Sequence, residues 1–371
     1  MYSQTRKIDV TMLAQSEVNK VKIDEWAERC EHWNEKAQLE APKRKRREKQ
    51  SAPLVLTGHG LSIRVDKSRL IIKHGLTHFP AKPTEAAFFK GSLELPPRIV
   101  IVDGNGHITL DALDWLQEQS IDLIRLRFDG RVQFVVSANG YAADPKKVEW
   151  QRKTRASEAA RVKYAVPLIQ QKILGTLYNL ENLLPESRSR EKAIEAAKSA
   201  LVELEQSPPD MIAKLSAIEG TVAQGYFFAW RALDIKWKAT KRYPVPNEWK
   251  RYFSRSSLKW GESRVRNRSA THPVNAMLNY AYALLESEVR IKVVADGYDP
   301  SVGITHDNSN SDRHAFVFDQ MEPMRPVVDR KILKLIRTET FSGADFDLQI
   351  GGVVRVNPKL IAFISASAEG G

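Results

Sequence analysis

The sequence predicts an α+β protein in which a small N-terminal β-domain precedes a larger, mainly α-helical domain. Two patterns predict this fold class. Between residues 54 and 144, short apolar or alternating runs are separated by glycine and aspartate turns, which is typical of a β-rich unit. From about residue 145, apolar residues recur at helical spacing over much longer segments. The 371 residues are enough for two folded units with separate cores.

The first 53 residues are predicted to form an N-terminal extension with a basic linker, ahead of a β-rich domain at 54–144 and a helical domain at 145–371. Residues 18–40 could form a helix with Trp26 and Trp33 partly on one side. Residues 43–47 read Lys-Arg-Lys-Arg-Arg and favour a solvated linker. The alternative is a flexible basic arm that adds contacts to phosphates.

The β-rich unit is expected to contain several short elements and no catalytic constellation. A hairpin is predicted around the turn Asp129-Gly130. Scattered histidines such as His59, His74 and His78 are expected at the surface. The predicted strands are 54–56, 61–65, 70–72, 98–102, 123–128 and 132–136, with a short helix at 110–117.

The helical part is predicted to contain five long helices interrupted by prolines. Pro208 and Pro209 form one interruption, and Pro244 and Pro246 form another. The predicted helices are 149–182, 189–206, 209–236, 273–295 and 323–338.

Composition excludes several classes of protein. A hydrophobic content of 42% is typical of a globular chain, and no apolar run approaches the length of a membrane span. The polar, charged start is unlike a secretory signal, which favours the cytoplasm. The single cysteine, Cys30, excludes an internal disulfide and a cysteine-type zinc cluster.

The net charge of +12 suggests a polyanionic partner, and its distribution is more informative than its size. Between Lys236 and Arg268 there are eleven lysines or arginines against two glutamates, interleaved with aromatic residues. Cations neutralise phosphates and aromatic rings stack on unpaired bases, so this basic aromatic stretch predicts nucleic-acid binding through shape and ends. The alternative is a surface loop whose rings pack back on the helices. The candidate residues are Lys241, Arg242, Trp249, Lys250, Arg251, Arg255, Arg264, Arg266 and Arg268.

Glu219 is a charge in an apolar setting. On a helix it shares a face with Ala223, Tyr226, Phe227 and Trp230. A carboxylate there is costly unless a metal ion or an arginine pairs with it. The alternative is a position at the rim of the core from which the carboxylate reaches water.

His306 and the segment Asp319-Gln320-Met321-Glu322 are further candidates. A lone histidine is more often structural than a ligand. Asp319 with Glu322 three residues later also fits a helical capping box followed by Pro323 and Pro326. One histidine with two or three carboxylates suits Mg²⁺ or Mn²⁺. In a strongly basic protein, such an ion points to phosphodiester chemistry.

Four motifs follow one another along the chain. They are Ile218-Glu219-Gly220 with Ala223 and Tyr226-Phe227, the run 272–286 that starts His272-Pro273-Val274-Asn275, Gly303-Ile304-Thr305-His306, and Phe318–Pro326. Each motif is weak alone, and their order makes them specific. In this order they resemble the CRISPR-associated protein 1 family, the integrase of spacer acquisition. The resemblance runs from about residue 54 to about 365 and includes Gly58-His59-Gly60-Leu61.

The resemblance implies a catalytic helical domain with Glu219, His306 and Glu322 as ligands of Mg²⁺ or Mn²⁺ and Asp319 as a supporting acid. The implied reaction is attack by a DNA 3′-hydroxyl on a phosphodiester of the CRISPR repeat, with hydrolytic nicking as its counterpart. It also implies double-stranded DNA with 3′ ends as substrate, a homodimer, no membrane, and a small ferredoxin-like partner, CRISPR-associated protein 2. Asn275, Asn279 and Tyr282 lie on one helix face as candidates to position a loop or DNA.

Two other functions stay open at this point. One is a transposon-type or stand-alone relative that integrates other DNA or is inactive. The other is a basic nucleic-acid-binding scaffold without a metal. Residues 1–50 depart from the compact family pattern, which leaves the identity of the second subunit open.

Overall fold

A computed structural model describes most of the chain. The described residues are 24–40, 47–74, 84–127, 129–137, 143–255, 270–306, 314–349 and 352–366.

Two four-stranded sheets form the N-terminal part. The first has the order β1-β5-β7-β8, in which β1, β5 and β7 are parallel and β8 is antiparallel to β7. The second has the order β4-β3-β2-β6. The strands are β1 Leu54–Thr57, β2 Leu61–Asp66, β3 Arg69–His74, β4 Thr84–Phe88, β5 Arg98–Val102, β6 Gly106–Ile108, β7 Asp122–Leu126 and β8 Val132–Val136.

The helix α2, Leu110–Glu118, completes the core of this part. Thr109 caps it by accepting a hydrogen bond from the Ala112 amide, and Trp115 and Leu116 are buried. All the strands predicted here are present. The strands β4 and β6 were not predicted, because β4 is mostly exposed and pairs with β3 through its backbone, while β6 has only three residues.

Eight helices follow in the described chain from residue 143 onward. The helix predicted at 149–182 is two helices, because Ser157 is extended and caps the second one through the Ala160 amide. The helix predicted to reach 236 ends at Ala229, and a 3₁₀ turn follows it. The helices are α3 Pro145–Ala156, α4 Glu158–Asn182, α5 Arg188–Gln206, α6 Ile212–Ala229, α7 Pro273–Ala295, α8 Ala315–Met321, α9 Arg325–Thr338 and α10 Pro358–Ala366. The α+β fold class is therefore confirmed.

The helix α7 lies at the centre of the larger core. Most of its residues are buried, and it packs against α8, α9, α10 and β8. The turn before β8 contacts it closely: a Cβ at Gly130, where φ is +76°, would lie 3.0 Å from the backbone of Asn279 and Tyr280. The sheet and the helices therefore meet at the helix that follows the basic aromatic stretch.

The helix α1, Glu25–Glu40, corrects the prediction of an N-terminal extension. Trp33 is fully buried, packs against Phe341 and Phe363, and donates a 2.7 Å hydrogen bond to Asp345. The side chain of Arg29 binds the same carboxylate. Because these partners lie more than 300 residues away, α1 is part of the C-terminal core. Residues 1–23 and 41–46, with most of the basic linker, lie outside the described residues.

Four short strands complete the structure. A parallel pair joins β9 (Trp237–Lys238) to β10 (Phe341–Ser342), and an antiparallel pair joins β11 (Phe346–Leu348) to β12 (Val354–Val356). None of the helices in the described part of the chain combines the length and the apolar character that a bilayer span requires.

Candidate active site

A cavity of about 340 Å³ lies between α4, α6, the segment around Glu322 and the loop that carries His306. Glu219, His306 and Glu322 all line it, and so does Arg255 from the basic aromatic stretch. One wall is apolar and is formed by α4 and α6. The structure thus brings the three predicted metal ligands to one cavity.

Glu219 projects from α6 with the neighbours that the helical spacing predicts. Ala223, Tyr226 and Phe227 line the same cavity. Trp230, also predicted on this face, is fully buried beyond the cavity. The Glu219 side chain is 24% exposed, so it lies at the rim and not in the sealed core.

Lys172 of α4 lies between two of the predicted ligands. Its ammonium group donates hydrogen bonds to Glu219 and, at 2.5 Å, to Oε2 of Glu322. The side chain is only 16% exposed. A cation therefore already joins the two carboxylates.

Glu322 is buried, and it is held ionised by its neighbours. Burial raises the pKa of its carboxyl, but Arg325 and Lys172 outweigh burial and hold that pKa down at about 2. The Arg325 Nε lies 3.0 Å from Oε1 of Glu322. Glu322 is thus a carboxylate at neutral pH and is available to a cation.

Asp319 and Glu322 do not form the capping box that was the alternative interpretation of this segment. Asp319 lies inside α8, and Glu322 begins a 3₁₀ turn before α9. The residue at the start of α9, Met324, makes no side-chain cap. Asp319 has a different role, which its hydrogen bonds define.

Asp319 holds the loop that carries His306. Its fully buried carboxylate accepts hydrogen bonds from the amides of Ile304 at 2.6 Å, Thr305 at 3.1 Å and His306 at 3.2 Å. It also lies 2.7 Å from the His306 Nδ1. This hydrogen bond, partly opposed by burial, raises the pKa of His306. With Nδ1 engaged, Nε2 is the ring nitrogen left to act as a ligand.

The three predicted ligands line one cavity but do not form a closed metal cluster. Within the described ranges, no three histidine, cysteine, aspartate or glutamate side chains lie close enough together to hold an ion. Glu219 and Glu322 instead share an ammonium group. The donor set still suits a hard divalent cation, since it offers two carboxylates and one oriented imidazole.

The far side of the cavity is a polar network around Asp329. Tyr282 donates a 2.5 Å hydrogen bond to this carboxylate, and burial raises the pKa of Asp329 to about 6. Arg255 donates to the side-chain oxygen of Asn279 at 2.9 Å and lies over the ring of Tyr282. The Arg255 Nη1 is buried without a hydrogen-bond partner among the residues described.

The basic aromatic stretch is partly surface and partly core. Lys241, Arg242, Lys250 and Arg251 are exposed, as a phosphate contact requires. Trp249 is a correction: its ring is buried against Trp237 and Phe346 and cannot stack on a base. Arg264, Arg266 and Arg268 lie outside the described residues.

Asn275 and Asn279 contact the protein's own loop. Asn275 donates a 2.9 Å hydrogen bond to the carbonyl of Ser254, and Asn279 accepts one from Arg255. Both therefore hold Ser254 and Arg255 of the basic aromatic stretch against α7. Of the two roles that the sequence left open for them, the structure displays the positioning of a loop.

Lys172, Arg325 and Asp329 are cavity residues that the sequence reasoning missed. Lys172 had a usable signal, because it is the one charge in the otherwise uncharged run from 164 to 177. A lone charge on an apolar helix needs a partner, and this is the argument that identified Glu219.

Comparisons with known proteins agree on one family. Residues 54–366 match the family model described as CRISPR associated protein Cas1. A CRISPR-associated endonuclease Cas1 of Thermodesulfovibrio yellowstonii is 28% identical over 271 residues, which cover 71% of this chain and 77% of that protein.

Solved structures share the fold. A casposase bound to an integration product superposes with a TM-score of 0.65 at 21% identity, covering 85% of this chain and 82% of that one. A chain of a Cas6-RT-Cas1–Cas2 complex superposes with a TM-score of 0.55 at 20% identity, covering 85% of this chain and 31% of that one.

Proposed function

The chain belongs to the Cas1 family of CRISPR-associated proteins, and from this premise we propose that it is a metal-dependent DNA integrase and nuclease of CRISPR adaptation. One observation carries the proposal. Glu219, His306 and Glu322 come from three separate segments and line one cavity together with Arg255 of the basic aromatic stretch. Two acids, an imidazole and a cation that could pair with a phosphate thus line the same cavity, which supports the proposal.

Glu219, Glu322 and the Nε2 of His306 are the atoms that would hold Mg²⁺ or Mn²⁺. Such an ion, when bound, polarises a phosphoryl oxygen and orients the attacking and leaving oxygens. Asp319 keeps the imidazole in place through its 2.7 Å contact with Nδ1. Arg325 keeps Glu322 ionised from the other side.

The proposed reaction is a transesterification. A DNA 3′-hydroxyl attacks a phosphorus of the repeat, a new phosphodiester forms, and the bond to the leaving 3′-oxygen breaks, so the number of phosphodiesters is unchanged. Arg255, which lines the cavity, would pair with a phosphate oxygen there. The exposed Lys241, Arg242 and Lys250 would neutralise phosphates further along the duplex. Water in place of the hydroxyl gives nicking.

The substrates and partners are part of the proposal. They are double-stranded DNA with 3′ ends, CRISPR repeat DNA, a second copy of the chain, and the small ferredoxin-like Cas2. Support comes from the relatives: the casposase of similar fold was solved with an integration product, and another chain of similar fold occurs in a complex with Cas2. The proposed place of action is the cytoplasm of a prokaryote.

Strand transfer tests the proposal. A short duplex with free 3′-hydroxyl ends is offered to a repeat-bearing plasmid with Mn²⁺ or with EDTA. Glu219→Ala and His306→Ala are each expected to lower the rate at least roughly 10³-fold, which corresponds to about 4 kcal/mol of lost transition-state stabilisation. The matched control is Glu248→Ala, which removes an exposed glutamate of the basic aromatic stretch outside the cavity.

Two results would contradict the proposal. Activity in EDTA, or parental activity in Glu219→Ala, would exclude the metal mechanism. DNA binding without strand transfer by the unaltered protein would favour the non-catalytic scaffold.

A further inference from the structure

Lys172 occupies the place in the cavity where a positive charge is needed. Its ammonium group contacts Glu219 and Glu322 at once, and its side chain is 16% exposed. The two carboxylates belong to different helical segments, 47 and 150 residues away along the chain. No other cation of the described residues joins them.

Two carboxylates that face one small cavity repel each other unless a cation lies between them. Of these two carboxylates, Arg325 pairs with that of Glu322. Glu219 has Lys172 as its ion-pair partner among the described residues. Without this lysine, the negative charge of Glu219 would have no cation to balance it among the described residues, which destabilises the folded protein and leaves the site more attractive to a divalent ion.

The geometry points to Lys172 as a positioning residue that holds Glu219 and Glu322 together before a divalent ion binds and then yields its place to that ion. This inference rests on the proposed metal site. It goes beyond the ligand set, because it assigns the lysine a competing role in metal binding.

The chemistry of lysine suits a temporary occupant. Lysine carries one ammonium group on a flexible four-carbon stem, so it can move away easily. An arginine would bind the carboxylates through a planar fork of hydrogen bonds, which would be harder to displace. The cavity beside it has about 340 Å³ to receive the displaced group. Because Lys172 lines this cavity, the ammonium group can move without displacing a packed side chain.

Mn²⁺ titration of the full-length protein tests the inference. Lys172→Met removes the charge and keeps a similar length, so the ion no longer competes with an ammonium group. Mn²⁺ is expected to bind roughly tenfold more tightly than in the parent, measured by the electron paramagnetic resonance signal of free Mn²⁺. The midpoint of thermal unfolding in EDTA is expected to fall, and the rise on adding Mn²⁺ to be larger than in the parent.

Two further variants keep the test decisive. Lys172→Gln retains N–H donors without the charge and serves as the test variant if Lys172→Met folds poorly. It is also expected to bind Mn²⁺ more tightly than the parent. Lys214→Met is the control, because Lys214 pairs with Asp210 on the exposed side of the start of α6, outside the cavity. Its Mn²⁺ affinity is expected to equal that of the parent.

The outcomes separate this inference from the proposed function. If the parent binds no Mn²⁺, or Glu219→Gln binds it as the parent does, the proposed metal site fails. If the parent binds Mn²⁺ through Glu219 and both Lys172 variants bind it equally well or more weakly, the metal site stands and the role of Lys172 is overturned.

Discussion

The cavity and the contact between α1 and the C-terminal core both bury carboxylates, but they treat them differently. At the α1 contact, Asp345 accepts hydrogen bonds from the Arg29 side chain at 2.8 Å, from Trp33 at 2.7 Å and from the Ser342 amide at 2.8 Å. In the cavity, Glu219 and Glu322 share the single ammonium group of Lys172.

The difference lies in how the remaining space is filled. Around Asp345, aromatic rings close the contact, since Trp33 packs on Phe341 and Phe363 and lies under Arg29. Around Glu219 and Glu322, an open volume remains. A buried carboxylate alone therefore does not mark a functional site. The two acids that face open volume and share a flexible cation are the better candidates for such a site.

The largest expected effect tests whether α1 is structural. Trp33→Ala removes a fully buried ring together with a donor to Asp345, so unfolding free energy is expected to fall by about 3–5 kcal/mol. Denaturant unfolding measures it. Strand transfer per folded molecule is expected to stay at the parental rate, because the ring is outside the cavity.

The control for this variant lies on the same helix. Leu39 is 81% exposed, and Leu39→Ala is expected to change the free energy by no more than about 0.5 kcal/mol. If Trp33→Ala lowers the free energy of unfolding by less than about 1 kcal/mol, α1 is not a structural part of the C-terminal core.

The next effect is a pH dependence at the start of α7. His272 caps α7 by accepting a hydrogen bond from the Val274 amide, and burial lowers the pKa of this imidazole to about 4. In the unfolded chain it titrates near 6.5, so only the unfolded state takes up the proton between pH 6.5 and 4. The stabilisation is complete above pH 6.5 and is lost as the pH falls to 4, by about 3 kcal/mol.

His272→Asn provides the comparison, because asparagine caps helices well and does not titrate. Unfolding free energies of both proteins are measured at pH 7, 5.5 and 4. The parent is expected to lose about 3 kcal/mol more than the variant over this range. Parallel curves would show that His272 is not the acid-sensitive group.

The smallest effect concerns Asp319. Its carboxylate is buried like that of Asp345, but it contacts His306, which lines the cavity. Asp319→Asn keeps the size of the side chain and weakens the hold on the His306 Nδ1. Strand transfer is expected to fall by roughly 10–100-fold, less than in the equivalent change Glu322→Gln. The strand-transfer rates of the two variants are compared in one Mn²⁺-dependent assay. If the Glu322 variant retains parental activity, Asp319 and not Glu322 is the ligand.

The sequence by itself determined the fold class, most of the elements and the family. Periodicities of two and 3.6 residues are local properties, so the strand at 98–102 and the helix at 273–295 agree with the structure. The misplaced charge of Glu219 was also readable, because its neighbours on one face of α6 follow from helical spacing alone.

Tertiary structure decided which charges meet. Lys172 joins acids 47 and 150 residues away, and Arg29 joins an acid 316 residues away. No local period encodes such pairs, since they depend on how helices pack. For the same reason the ring of Trp249 proved to be core, Asp319 proved to hold the His306 loop, and α1 proved to belong to the C-terminal core. The sequence motifs identify Glu219 and Glu322, whereas only the packing of the helices shows that Lys172 lies between them.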